Sequence, residues 1–285
     1  MNKFTFFIAI ISVLIFSCEE KDEFLKIASS DVLLGKPKPG DWLADHPEDG
    51  QTFEEYAKSK PMKPSKTRNK IYILPMGDFT LQESKIVDLT VEYLELFYGI
   101  ETVKMKTMKD DVVPKDKRRL NEMDKEQLDA SFLLHKVISG LKPKDGLAIM
   151  VLSAKDLYPK PSWNFVFGLA TYSEGIGITS IARYEPNNKD YRIGLQRAIK
   201  TSAHEIGHMF KMRHCTYAMC VMNGVNSLSE DDRKPNTLCS VCLKKMAWNL
   251  KFNNKERFKK LIAFYDRHRL TDDVEIMKNQ LELIE

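Results

Sequence analysis

The stretch "HEIGHMFKMRHCTYAMCVM", beginning at His204, holds three of the chain's 6 histidines and two of its 5 cysteines. His204 and His208 are spaced i and i+4, so on a helix their imidazoles sit one turn apart and can reach a single ion. Glu205 is rotated from His204 by about 100°. That places it beside the pair, where a carboxylate could accept a proton from a water activated at the ion. His214 follows six residues after His208 and can return to the same ion only if the helix ends and the chain turns. Three imidazole nitrogens with one position left for water form a hydrolytic zinc set. The expected chemistry is zinc-assisted hydrolysis, with His204, His208 and His214 as ligands and Glu205 as general base.

These side chains need a helix that shows them to a cleft. From about Arg192 to Lys211 the pattern is helical. At about 100° per residue, Leu195, Ile199, Ala203, Ile206 and Phe210 fall within roughly 40° of one direction, and the two histidines lie about 140–180° away. A helix that buries this stripe on a sheet turns both histidines outward. The sheet is legible upstream, where "NKIYILPMG" (69–77), "ETVKMKTM" (101–108) and "DGLAIMVLSA" (145–154) read as strands. Between them lie helical patterns carrying Ile86, Leu89, Val91, Tyr93 and Phe97, then Leu134, Val137, Ile138 and Leu141. That alternation predicts a mostly parallel sheet with helical crossovers. "WNFVFGLATY" (163–172) and "GIGITSIARY" (175–184) stand two residues apart, which predicts a hairpin and one antiparallel edge strand.

An apolar fraction of 43% supports a substantial core. The net charge of +4, from 44 basic and 40 acidic residues, gives no electrostatic case for nucleic acid, and none is expected as a partner. "MNKFTFFIAIISVLIFSC" has an apolar run shorter than the roughly 17–25 residues of a transmembrane helix. It reads as a signal peptide over 1–17. Ser17 before Cys18 resembles the bacterial lipoprotein processing site, which implies a lipid on Cys18 and a membrane-anchored protein of the cell envelope, on its periplasmic face or at the surface. Residues 18–66 then read as a tether followed by a packing arm.

Beyond Cys18 the cysteines are Cys215, Cys220, Cys239 and Cys242, a cluster that implies a small knob, either cross-linked or metal-bound. Leu243, Met246, Ala247 and Leu250 continue a helix after it. Phe258, Leu261, Ile262 and Tyr265 define another, expected to pack on the knob. The acidic "TDDVEIMKNQLELIE" is a packing helix or an oligomer contact.

"HEIGHMFKMRHC", four residues, "CVM", sixteen residues and "CSVC" together closely resemble the archaemetzincin signature. "PGDWLADHPEDGQTFEEY" (39–56), "FVFGLA" (165–170) and "CLKKMAWNLKF" (242–252) are similar to that family too, so the resemblance spans about residues 37–270. It implies an α/β, metzincin-like fold over 67–285: a twisted, mostly parallel sheet with one antiparallel edge strand, an active-site helix, and a small helical Cys-rich subdomain from about 213. It implies a zinc peptidase, endo- or aminopeptidase, with two Zn2+ per chain. One would be catalytic on His204, His208 and His214, with Glu205 activating water. The other would be structural on Cys215, Cys220, Cys239 and Cys242. Met222 would be the methionine of the Met-turn, an apolar floor below the site. A peptide or protein substrate would lie along Phe167, Gly168, Leu169 and Ala170 through backbone hydrogen bonds. Tyr217 and Tyr172 are candidates for an oxyanion donor.

Two alternatives stand beside this. An exported chain could form Cys215–Cys220 and Cys239–Cys242 disulfides, although a bridge over a two-residue gap is usually redox-active and no thioredoxin-like context surrounds this one. Lys211 stands where the family pattern has glycine, because the chain leaves the helix there with positive φ. A β-carbon in that conformation costs about 1 kcal/mol or more. A displaced His214 would leave a catalytically impaired zinc-binding envelope protein acting as a binding module.

Overall fold

The structure, a computed structural model, describes residues 23–185 and 188–285. The leader over 1–17 and Cys18 lie outside the described residues. The strands are β1 (Lys70–Met76), β2 (Thr102–Lys104), β3 (Arg118–Leu120), β4 (Glu126–Asp129), β5 (Gly146–Ser153), β6 (Asp156–Tyr158), β7 (Gly168–Ala170) and β8 (Ile176–Ser180). The main sheet runs β2–β1–β5–β8–β7. Its first four strands are parallel, and β7 closes the edge antiparallel to β8, with Gly168 opposite Thr179 and Ala170 opposite Gly177. Every residue of β5 is buried, as a central strand covered on both faces requires.

The main helices are α1 (Phe53–Lys58), α2 (Leu81–Tyr98), α3 (Tyr191–Met209), α4 (Ser240–Leu250), α5 (Asn254–Arg267) and α6 (Thr271–Glu282). Thr52 with Glu55, and Thr80 with Glu83, form capping boxes that satisfy the first amides of α1 and α2. One core cluster joins α2, α3 and the C-terminal helices to the sheet. The other covers the opposite face with Leu128, Leu133, Leu134 and Ile138.

Two features depart from the expectation. The helix carrying Leu134 to Leu141 is broken into an α-turn (Ala130–Phe132), a π-helical stretch (Leu133–Val137) and a 3-10 turn ending at Gly140. Leu134 and Ile138 are buried, with Val137 and Leu141 half-buried against the same core, so their spacing reported burial more faithfully than it reported helix type. A second, three-stranded sheet, β3–β4–β6, was not foreseen. Its strands are three or four residues long, too short for alternation to register. The helix α5 packs mainly on α6 and α2, where Tyr93 of α2 meets Phe264 and Tyr265 at ring separations of 5.5 and 6.0 Å, and it shares one core cluster with the four cysteines.

The terminal segment is a packing helix: α6 buries Val274 and Met277, and Asp273 accepts a 2.8 Å hydrogen bond from the Asn236 amide. The arm also packs, with Ile27 and Tyr56 fully buried. No helix among the described residues is long and apolar enough to cross a membrane.

Candidate metal centre and catalytic cleft

The site is built on α3. Asp190 caps its start by accepting from the Arg192 amide. Leu195, Ile199, Ala203, Ile206 and Phe210 all have 0% exposure, so the stripe is buried and His204, Glu205 and His208 line a cleft of about 440 Å³. At the end of the helix, Lys211 takes φ 65°, the left-handed conformation that a helix stop favours. Met212 N then donates to Gly207 O at 3.1 Å. The arm holds this turn: Lys211 Nζ donates to Ser59 O at 2.9 Å, and Gln51 Nε2 donates to Lys211 O at 3.1 Å. The lysine is strained but anchored, and His214 does return to the other two histidines.

Each imidazole is oriented through its Nδ1. That of His204 lies 2.9 Å from Val221 O, that of His208 2.7 Å from Met212 O, and that of His214 2.9 Å from Glu48 Oε1. Carbonyl oxygens only accept, so at His204 and His208 the proton sits on Nδ1 and Nε2 carries a bare lone pair. Those two Nε2 atoms are 2.9 Å apart, and the three histidines offer ligand atoms all within 4.8 Å of one another. Facing lone pairs at that distance repel unless a cation lies between them, so the donor set fits a metal ion. Burial, followed by the neighbouring His214, pushes the pKa of His204 down to about 3. Burial, then His204 and His214, holds His208 well below its usual value. Both are thus neutral, the form that binds metal.

Sequence reasoning missed Glu48. It comes from the arm, and its carboxylate also accepts from Trp42 Nε1 at 2.6 Å. Burial opposes its ionisation, yet the hydrogen bonds from His214 and Trp42 hold its pKa below the usual range. The Trp42 ring stands edge-on to His214 at 5.2 Å. The one sequence signal was "DHPEDG" within a segment that resembled the family, and no spacing rule connects it to the histidines.

Glu205 is 7% exposed, and burial pushes its carboxyl up to about 8. It packs directly on β7: a β-carbon at Gly168 would lie 2.6 Å from Glu205 Cγ, so only glycine fits there. Gly207 serves the opposite side, where a β-carbon would lie 2.5 Å from Met222 Sδ. Met222 is 1% exposed and sits against the helix between the two histidine turns. Phe167, Gly168, Leu169 and Ala170 all line the cleft, and among the described residues β7 pairs only with β8.

Tyr172 lines the cleft with its ring 5.2 Å from that of His208. Burial, then the charge of Glu205, raises its pKa, so it stays protonated. Tyr217 is not brought to the cleft. It is 42% exposed, and its carbonyl accepts from Leu34 N of the arm at 3.1 Å. Closeness to the cysteines in sequence misplaced it, because the chain turns outward between Cys215 and Cys220.

Cys215, Cys220, Cys239 and Cys242 are free and buried, with their sulfurs all within 4.8 Å of one another. Cys215 Sγ and Cys239 Sγ are 3.6 Å apart, well beyond the roughly 2.05 Å of a disulfide. The amides of Met222 and Cys239 point at Cys220 Sγ from 3.5 and 3.4 Å. Hydrogen bonds from the three other cysteines pull the Cys215 thiol far below its usual pKa. This is the donor chemistry of a tetrahedral thiolate zinc site.

Residues 69–248 match the family model of peptidase family M54. The chain is 35% identical to archaemetzincin-2 of Homo sapiens over 263 residues, covering 80% of this chain and 72% of that protein. The crystal structure of an archaemetzincin from Methanopyrus kandleri is similar at TM-score 0.53 and 29% identity, covering 66% of this chain and 99% of the other. That of a zinc-dependent peptidase from Methanocorpusculum labreanum is similar at TM-score 0.50 and 25% identity, covering 62% and 99%. The imidazole set, the thiol cluster and these likenesses agree, and the chain belongs to the archaemetzincins, zinc metallopeptidases of family M54.

Proposed function

We propose that the chain hydrolyses peptide bonds at the floor of this cleft, with His204, His208 and His214 holding a catalytic zinc and Glu205 as general base. The observation that carries this is the convergence of the three imidazoles on one point beside a buried, unpaired carboxyl. Zinc, when bound, polarises the scissile carbonyl and acidifies water. Glu205 accepts the proton of the attacking water and delivers it to the leaving amine. The substrate lies along β7 as an added strand, so Phe167 to Ala170 orient it through the backbone. Tyr172 donates its hydroxyl to the oxygen that gains charge.

Met222 forms an apolar floor under the histidines, as in a metzincin-like Met-turn. A second zinc on the four cysteines locks the segment from Cys215 to α4, giving two per chain. The anchored turn at Lys211 favours an active enzyme over an impaired binding module. The leader pattern and Cys18 support attachment of this peptidase to the cell envelope through a lipid.

Metal analysis beside activity tests the proposal. Native mass spectrometry should find two zincs and no disulfide. Removal of the more accessible zinc should abolish peptide cleavage, and its return should restore it. One zinc with two disulfides, or cleavage that survives complete zinc removal, would reject it.

A further inference from the structure

The cleft continues past the histidines into a recess whose charges take no part in hydrolysis. Lys200 and Thr201 stand one helical turn, about 5.4 Å, before His204 and Glu205 on α3, and both line the cleft. Lys200 is 5% exposed. Its Nζ donates to Asp231 O at 2.6 Å and lies 3.4 Å from Asp231 Oδ2. Lys234 reaches the same recess from beyond the short helix Leu228–Asp231. Its hydrogen-bond partner among the described residues is the weak acceptor Met219 Sδ, at 3.9 Å. Burial lowers its pKa, a sign that its charge is poorly solvated.

The recess therefore leaves Lys234 Nζ without an oxygen acceptor among the described residues. Glu230 attracts Lys234 through its charge alone, since its oxygens accept from the amides of Trp42 and Asn226 at 3.0 and 2.8 Å. An ammonium has three donors, and Lys200 spends one on Asp231 O, with Asp231 Oδ2 at ion-pair distance but not hydrogen-bonded. The same cleft is lined by the apolar side chains of Trp42, Phe167, Val221 and Val225. Apolar walls with a cationic end complement a short hydrocarbon stem that carries a carboxylate. A buried, under-paired cation is costly by itself and gains most from an anion that excludes water with it.

We infer that this recess is a specificity pocket for a substrate carboxylate next to the scissile bond, read by Lys200 and Lys234. This rests on hydrolysis occurring at His204 and Glu205, because one turn of α3 separates the two. The carboxylate belongs to a Glu or Asp side chain or to the free C-terminus of a short peptide. The two sources differ in whether amidation of the terminus matters.

The test uses the zinc-loaded protein and a peptide library with free and amidated C-termini, read by mass spectrometry. Glu should exceed Gln at one position flanking the cut by about tenfold or more in kcat/KM, the usual worth of a charge-assisted hydrogen bond. Loss of cleavage on amidation would instead assign the pocket to the terminal carboxylate. Lys234→Glu, at a half-buried position, should turn the preference towards Lys or Arg, and Lys200→Arg should keep the acidic preference that Lys200→Met loses.

Calorimetry with Glu205→Gln protein supplies a readout without turnover, and the Glu peptide should bind more tightly than its Gln twin. That binding difference, beside zinc-loaded protein of unaltered sequence that cleaves no peptide, would refute the hydrolysis reading and leave the pocket standing. Equal handling of Glu and Gln, with no effect of amidation, would overturn the pocket, as would an acidic preference that survives Lys234→Glu.

Discussion

Glu48 holds His214 by its Nδ1 at 2.9 Å across 166 positions of sequence, so the arm is part of the metal centre. Glu48→Gln should weaken zinc binding at the histidine site by about 10–100-fold, the usual effect of removing an orienting partner. Competition with a calibrated chelator would measure this. Zinc affinity equal to that of the unaltered protein would mean that Glu48 only closes the arm.

Gly168 leaves room for Glu205. Gly168→Ala should lower kcat by about 100-fold, because a misplacement near 1 Å at the reacting groups has that effect. Zinc content should be unchanged, since the nearest atoms to a β-carbon at residue 168 all belong to Glu205. Steady-state kinetics with metal analysis would separate displacement of Glu205 from loss of the metal.

Lys211 takes the left-handed turn at φ 65° and ties it to Ser59 O. Lys211→Gly relieves backbone strain but loses that tie and adds freedom to the unfolded chain. The net change in stability should be within about 1 kcal/mol, with activity within about twofold. Urea unfolding and kinetics would show it. A large gain in activity would mean that the lysine distorts His214 after all.

The metal-free protein should be acid-sensitive. His204 has its folded pKa depressed to about 3 from an ordinary 6.5, so below 6.5 the unfolded state binds more protons than the folded one. Stability should therefore fall as pH drops from 6.5 towards 3, by at most about 1.4 kcal/mol per pH unit for each such histidine. Unfolding of chelator-treated protein at pH 7.5 and pH 5 would reveal it, and His204→Gln should flatten the slope.

The cysteine cluster sits at the junction of the histidine segment and α4. Cys220→Ser should reduce bound zinc from two to one and destabilise the fold by on the order of several kcal/mol. Zinc counting and thermal unfolding would check both outcomes. Full stability with the sulfurs altered would mean that the cluster packs without metal.

The site helix was legible because burial and chemistry share one periodicity there. Leu195, Ile199, Ala203, Ile206 and Phe210 mark the covered face, and His204 and His208 fall opposite. The parallel character of the main sheet followed from apolar runs alternating with helical patterns, and the antiparallel edge from two strands close in sequence. Glu48 was not legible, since its role exists only once residues 23–68 fold back over the turn after α3. The sheet β3–β4–β6 hid for a different reason: Arg118 pairs with Glu126, and Asp156 with Gln127 and Arg183, and such short charged strands carry no apolar alternation. Tyr217 shows the limit of reasoning from proximity, because two residues of separation from Cys215 were enough to face solvent.

The central claim is that Glu205 moves the proton at a zinc held by His204, His208 and His214. The direct measurement is peptide cleavage by Glu205→Gln protein whose zinc content has been verified. The account predicts unchanged zinc, an unchanged fold and a loss of kcat of at least about 100-fold, in the range for a removed general base. Cleavage at the unaltered rate with full zinc would contradict it.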